Sequence, residues 1–334
     1  MLSQQSLTDM LSALGRGGEE GRDLAEEEAY DLFADMLDGR IPALELGAVL
    51  ASLRWKNESA DELAGFARAL NERIPVIELP QHRPRMVVIP SYSRVGRAPN
   101  LMPLLALMLA RLEVPVLVHG LVGHGARAGS IDVFERLGHA PCYSLADAQT
   151  TLNSGRCAVV PTEMLSPSLD SLIRLRDRMG SRNTAHVVAK LLDPAPLRSL
   201  RVICAANAQL LSRLHDIFLR SPERALLMRA PDDDSFADPM RRPRIQMFEH
   251  QTARTLFEAE TGTPKLVNAL PPADDVDATS ECIREMLEGH RAIPQPLLNQ
   301  VAACLFGSGS ARDLTLAKAT VSLGLSHATP HSTH

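Results

Sequence analysis

Val114-Pro115-Val116-Leu117-Val118-His119-Gly120 is a short apolar run that feeds a glycine-rich stretch with one cation, Arg127, and then Gly129-Ser130-Ile131-Asp132-Val133-Phe134-Glu135-Arg136-Leu137-Gly138. A strand passing through small residues into a helix is an arrangement in which α/β proteins hold phosphate. Backbone N–H groups at the helix start attract an anion, and glycines let its oxygens approach. The spacing is neither a P-loop, since no Gly-Lys-Ser/Thr ends it, nor a dinucleotide fingerprint. A plain strand-to-helix turn, with glycine supplying positive φ, accounts for the same residues. Both readings make the segment a βα unit, with His119, Gly120, Arg127, Gly129 and Ser130 as its candidate anion loop.

Similar units continue on both sides. Met86 to Pro90, Cys157 to Pro161, Arg201 to Ala206 and Arg224 to Arg229 read as buried strands, with helices over Asn100 to Leu112 and Ile131 to Leu137. Short apolar strands separated by helices predict a largely parallel sheet covered on both faces. Upstream the pattern is helical throughout. Thr8 to Leu14, Ala25 to Asp38 and Glu45 to Leu53 carry apolar residues at helical spacing, and Ser59-Ala60-Asp61-Glu62 is a capping box for a helix running to about Arg73. The expected fold is α/β, with a small N-terminal helical domain over 1–75 and a large α/β domain over 76–334 whose central sheet is mostly parallel. Leu323 to His334 reads as a frayed tail, its histidines not ligands.

With 334 residues, 45% of them apolar, the chain can build a sizeable core. No run of 18 or more apolar residues occurs, and the start has no basic region followed by an apolar one. A cytoplasmic protein with no membrane partner is expected. Cys142, Cys157, Cys204, Cys282 and Cys304 are scattered, without a CxxC or a Cys/His cluster, which supports neither a disulfide framework nor a zinc site. Thirty-five Lys and Arg against 40 Asp and Glu give a net charge of −5, a mild argument against a nucleic-acid partner. Lysine occurs only at 56, 190, 265 and 318, so nearly all the positive charge is arginine, the side chain suited to bidentate phosphate contacts. GC-rich coding produces the same bias.

The helical start, the α/β remainder and the series His119-Gly120, Arg127, Gly129-Ser130, Asp132, Glu135, Leu137-Gly138 together resemble the anthranilate phosphoribosyltransferase (TrpD) superfamily, over most of the chain. Gly180 to Pro194 is similar to a further segment of that family. The resemblance implies the fold shared with class II nucleoside phosphorylases, binding of phosphoribosyl pyrophosphate with Mg²⁺, and a dimer formed through the helical domain, joined by helices from about 165–190. The family's first phosphate loop, a Gly-Thr-Gly-Gly-Asp run, is replaced here by Pro90-Ser91-Tyr92-Ser93-Arg94, whose side chains should obstruct a pyrophosphate. The family's metal-binding Asp-Glu pair falls near Asp232 to Ser235, with Asp233 and Asp234 as the candidate ligands of an Mg²⁺ needed only if the chain is a transferase.

Pro90-Ser91-Tyr92, Arg94 or Arg97, Pro99-Asn100-Leu101, Arg182-Asn183, His186, Lys190 and the run Asp238 to Pro243 look like a divergent TrpD-like branch, the YbiB type. That resemblance implies a homodimer that binds nucleic acid, single-stranded DNA or RNA, through a basic groove, with no catalytic residues and no cofactor. The charges themselves permit this. Between 174 and 201 there are seven cations, Arg174, Arg176, Arg178, Arg182, Lys190, Arg198 and Arg201, against Asp177 and Asp193. Arg174 and Arg178 share a helix face, and Arg182 extends the row if the helix persists through Gly180. Such a row tracks a phosphate backbone or is simply solvated and paired with the acidic N-terminal helices. Arg241, Arg242 and Arg244 alternate with prolines in an extended loop, either facing a ligand or anchored to Asp232, Asp233 and Asp234. Aromatics are few, so backbone electrostatics outweigh base stacking. The candidate nucleic-acid contacts are Arg127, Arg174, Arg178, Arg182, Lys190, Arg241, Arg242 and Arg244. Two other classes of function are open to the chain: a phosphoribosyltransferase or pyrimidine-nucleoside-phosphorylase-like enzyme acting on an unknown acceptor, and an anion- or nucleotide-sensing protein that keeps the loop at 119–130.

Overall fold

The computed structural model describes residues 3–15, 22–92, 99–122, 129–230, 235–262 and 270–326. Four helices open the chain: α1 (Gln4–Leu14), α2 (Glu26–Leu37), α3 (Ala43–Lys56) and α4 (Ala60–Asn71). The predicted capping box is present at α4: Glu62 N donates to Ser59 Oγ at 3.2 Å, and Ser59 N to Glu62 Oε2 at 2.7 Å. Glu62 is fully buried and also takes Lys56 Nζ at 2.7 Å, so the cap carries a buried ion pair. The α/β alternation then begins with β1 (Met86–Ser91), α5 (Met102–Arg111), β2 (Val116–Gly120), α6 (Ser130–Arg136), α7 (Leu145–Asn153) and β3 (Cys157–Pro161).

A second helical stretch follows: α8 (Thr162–Leu165), α9 (Pro167–Arg174), α10 (Arg176–Met179) and α11 (Ala185–Val188), closed by a 3-10 turn over Ala189–Leu191. The sheet resumes with β4 (Ser199–Ala205), α12 (Ala208–Arg220), β5 (Arg224–Arg229), β6 (Ile245–Glu249) and β7 (Thr252–Phe257). The helices α13 (Val276–Leu287), α14 (Gln295–Ser308) and α15 (Leu314–Ser326) complete the chain. Two compact units result. One joins Met1–Val76 to Thr162–Pro194, and the other joins Ile77–Pro161 to Ala195–His334.

The sheet runs β3-β2-β1-β4-β5-β6-β7, parallel from β3 to β5 and antiparallel from β5 to β7. The chain steps from β1 outward to β2 and β3, then returns to the other side of β1 as β4. The order therefore reverses beside β1, and in open α/β sheets the ligand crevice lies at the carboxyl ends of the strands flanking such a reversal. β6 and β7 were not expected. They form a hairpin in which Glu249 faces Thr252, so the loop is His250-Gln251, both at positive φ (49° and 62°). This is a two-residue primed turn made without the usual Asn or Gly.

The core lies between the sheet and its helices, with Val87, Ile89, Leu105, Val116, Val118, Val202 and Val301 all inaccessible to solvent. α15 continues to Ser326, so 323–326 are helix and not frayed tail; 327–334 lie outside the described residues. No helix among the described residues is long and apolar enough to cross a membrane.

Candidate functional site

At the carboxyl ends of β1 and β2 the two expected phosphate loops leave the sheet side by side, with Ser91 in register with Gly120. A Cβ on Gly120 would lie 2.4 Å from the Ser91 carbonyl oxygen, so only glycine lets the strand ends approach this closely. Tyr92 is buried, 5% exposed, and its hydroxyl lies 2.8 Å from His119 Nδ1, with the two rings edge to face at 5.4 Å. His119 has no solvent exposure, and burial lowers its pKa to about 3, so it is a neutral imidazole at physiological pH. Its Nε2 is buried without a hydrogen-bond partner among the described residues.

The second loop's described part is turned inward. Ser130 Oγ accepts from Ser91 Oγ and from Asn100 Nδ2, both at 2.7 Å. Gly129 N donates to Asp132 Oδ2 at 2.8 Å. Gly129 is the N-cap of this helix, Ser130 is its first residue, and Asp132 reaches back to satisfy the cap N–H. On the other side of β1, Ser235 Oγ donates to the Pro90 carbonyl at 2.6 Å, and Gln300 braces the chain there, accepting from Ala237 N at 2.7 Å and donating to Ser235 O at 3.0 Å. Ser91, Asn100, Ser235 and Gln300 thus fasten the crevice wall. None was distinguishable as such in the sequence, where the partners are 30 to 145 residues apart. Ser93, Arg94, Arg127, Asp233 and Asp234 lie outside the described residues.

A phosphate cradle needs N–H and O–H groups that point into space. Here the Ser91 hydroxyl and the Asn100 amide both donate to Ser130, itself only 3% exposed, the Gly129 N–H is taken by Asp132 of its own helix, and the Tyr92 ring is buried against His119. These residues do not fit phosphoribosyl pyrophosphate in the manner of a glycine loop. Among the described residues no group of three or more His, Cys, Asp or Glu could hold a metal ion.

The basic residues divide by unit. In the helical unit Arg174 pairs with Asp170 one turn earlier, by a short Nε contact and by Nη2 at 3.2 Å. Arg178 is exposed. Gly180 takes the left-handed conformation (φ 70°) and ends α10, so Arg182 does not extend the Arg174–Arg178 row; it is half-buried beyond the break. Lys190 is only 3% exposed, and Arg176 7%, so neither presents its charge on the surface of the chain. This corrects two expectations: the row stops before Arg182, and Lys190 is not a surface cation of the chain. Of the acids at the start of α2, Glu26 and Glu27 pair with Arg68, and Glu28 with Arg22.

In the sheet unit Arg201 is also buried, in contact with Glu223. Arg241, Arg242 and Arg244 precede β6, whose first residue pairs with Met228 near the end of β5. Because β6 is antiparallel, these arginines enter at the carboxyl edge of the parallel strands, the edge that carries Ser91 and Gly120. Arg241 Nη2 donates to Gly262 O at 2.6 Å, Arg242 Nε to Glu258 O at 2.9 Å, and Arg244 Nη2 to Thr255 Oγ1 at 2.8 Å. They are thus anchored to β7 and the chain beyond it, with Arg241 and Arg244 still exposed.

Residues 8–74 match the helical bundle domain of the glycosyl transferase family. The chain is 35% identical over 318 residues to the uncharacterized protein YbiB of Escherichia coli (strain K12), covering 95% of this chain and 96% of that one. The chain belongs to the TrpD-like YbiB family. Its kinship extends to the enzymes of the superfamily, with 26% identity to the anthranilate phosphoribosyltransferase of Novosphingobium aromaticivorans over 87% of this chain and 88% of that one. Among solved structures, anthranilate phosphoribosyltransferase (TrpD) from Thermus thermophilus superposes with a TM-score of 0.71 at 20% identity, covering 96% of this chain and 94% of that one. The Saccharomyces cerevisiae enzyme in complex with PRPP and Mg gives 0.72 at 12% identity, covering 98% and 95%. At such identities the superpositions establish the fold. Within that fold, this YbiB-family chain differs from a glycine-lined cradle by Tyr92 and by the closed set Ser91, Asn100 and Ser130.

Proposed function

We propose that the chain is a nucleic-acid-binding homodimer built on a phosphoribosyltransferase scaffold, gripping the phosphate backbone largely without regard to sequence and carrying out no transferase chemistry. The observation that carries this reading is Tyr92, buried against His119 where the superfamily's first phosphate loop would stand open. A scaffold kept intact while its cradle is filled points to a surface function. Arg178, Arg241 and Arg244 are exposed and fit the phosphates of single-stranded DNA or RNA. Arg174 and Arg182 flank Arg178, and Arg127 adds a cation to the second loop. Self-association is supported by α3, where Leu44, Ala48, Ala51 and Trp55 lie at spacings of four, three and four and are all exposed, Leu44 by 83% and Trp55 by 77%. An apolar stripe of that period suits packing against a second copy.

The test is binding of short labelled single-stranded DNA and RNA across a salt titration. Affinity should fall steeply with salt, and the double variant Arg178→Glu with Arg182→Glu should bind more weakly to every sequence, with a salt slope smaller by about 0.7 for each lost phosphate contact. No binding at low salt, or an unchanged slope, defeats the reading.

The transferase reading is favoured by one observation, the 26% identity over 88% of an anthranilate phosphoribosyltransferase. It requires phosphoribosyl pyrophosphate to bind in the presence of Mg²⁺, with Asp233 and Asp234 as ligands. Calorimetry with and without Mg²⁺ decides it. Metal-dependent heat of binding establishes this reading in place of the first.

A further inference from the structure

We infer that the sheet unit carries a second ligand site, at the opposite end of its strands, which takes a small carboxylate with an aliphatic body. A cavity of about 410 Å³ opens where α5, α6 and α13 end and β3 begins. That volume lies within the range of small-molecule sites, roughly 300–1,000 Å³. Cys157, the first residue of β3, forms part of its wall. The cavity is therefore at the amino-terminal edge of the sheet, away from Ser91, Gly120 and Pro161 at the carboxyl edge, and it is independent of the proposed nucleic-acid function.

Its chemistry is one-sided. Leu107, Ala110 and Leu287 make an aliphatic wall, while Arg111, Arg156, His139 and the Thr151 hydroxyl supply polar groups, the two arginines the only charged ones among them. No Asp or Glu lines it, in a chain whose net charge is −5. Both guanidiniums are held in place by neutral partners: Arg111 Nη1 donates to the Leu287 carbonyl, and Arg156 Nε to Ser154 Oγ at 2.9 Å. Each keeps further N–H groups, and neither forms an ion pair with a described carboxylate. A carboxylate is the planar partner those groups match.

The remaining polar groups do not compete for that role. His139 packs edge-on against Phe134, 6.4 Å between centroids, and desolvation together with nearby Arg156 lowers its pKa, leaving a neutral ring able to donate one N–H. Cys142 and Cys157 are kept as uncharged thiols, because burial raises both pKa values. A thiolate there would repel an anion.

The experiment uses the full chain with hexanoate, hexylammonium and inorganic phosphate as probes. Binding is read by calorimetry, and occupancy by the rate at which iodoacetamide modifies half-buried Cys142, measured by peptide mass spectrometry. Hexanoate should bind and slow Cys142 modification several-fold, whereas hexylammonium and phosphate should do neither. Arg156→Glu, at an exposed position, should weaken hexanoate at least tenfold, and Ala110→Phe, which fills the cavity, should abolish binding while nucleic-acid affinity and melting temperature stay as in the parent. Hexanoate binding no tighter than hexylammonium, or indifferent to both variants, overturns the site. Equal binding by phosphate overturns the assignment of an aliphatic body.

Discussion

His119 offers a direct measure of how completely the former cradle has become interior. The imidazole is fully buried with a pKa of about 3, while an exposed histidine in the unfolded chain titrates near 6.5. Between those values the unfolded state binds a proton that the folded state does not, so stability rises with pH and is lost as pH falls below about 6.5. The loss is about 1.4 kcal/mol per pH unit for one proton, and integrating from pH 7 to 4.5 gives roughly 2.5 kcal/mol from this residue. The perturbation is His119→Asn, which removes the titration but leaves a polar partner for the Tyr92 hydroxyl. Urea unfolding at pH 7 and pH 4.5 gives the pH dependence of each protein, and the difference between the two dependences isolates His119 from His186, whose pKa is likewise lowered to about 3 by burial and by nearby Arg182 and Arg176. The variant should lose about 2.5 kcal/mol less than the parent over that interval. Equal losses would mean that His119 is charged or solvated in the native state, and the description of the crevice as interior would be wrong.

Gly120→Ala places a methyl group 2.4 Å from the Ser91 carbonyl oxygen and should destabilise by about 2 kcal/mol or more, read as a lower urea midpoint at constant m value. Ser130→Ala leaves the Ser91 hydroxyl and the Asn100 amide without their acceptor and should cost about 1–3 kcal/mol in the same assay. Trp55→Glu puts a charge on the exposed apolar stripe of α3 and should shift sedimentation from the proposed dimer toward monomer; an unchanged sedimentation coefficient would defeat the proposal that α3 mediates self-association.

The parallel half of the sheet was legible because its strands are short apolar runs with helices between them, as at Met86 to Pro90 and Cys157 to Pro161. The hairpin of β6 and β7 was not, since Arg244 to Phe257 mixes polar and apolar residues and its turn, His250-Gln251, carries no glycine or asparagine to announce it. The loss of the glycine loop at Pro90 to Arg94 was visible residue by residue. How Ser91, Asn100 and Ser130 close on one another was not, because a hydroxyl looks the same in sequence whether it faces a ligand or a neighbour. Charge counting also overstated the basic segment. Arg201 stands in β4, whose seven residues are all buried, and a strand covered on both faces has no solvent side to offer an arginine. Lys190 follows α11 in a similarly buried stretch. Gly180 could have been read as a helix stop, which would have removed Arg182 from the row.

The helical unit is assembled from two stretches of chain that are far apart in sequence, and this sets the order of events on the ribosome. Polar contacts stitch the late stretch to the early one: Asn71 Nδ2 donates to Leu191 O at 3.0 Å, Asp193 N to Asn71 Oδ1 at 2.8 Å, and the fully buried Thr184 Oγ1 to Glu58 Oε1 at 2.6 Å. None of these can form until residues 184 to 193 of the late stretch have left the exit tunnel. The first helices must therefore wait, with apolar surface uncovered, while the first three strands are synthesised. Nascent chains halted before that point should be targets for chaperones and proteases, and chains halted beyond it should be protected.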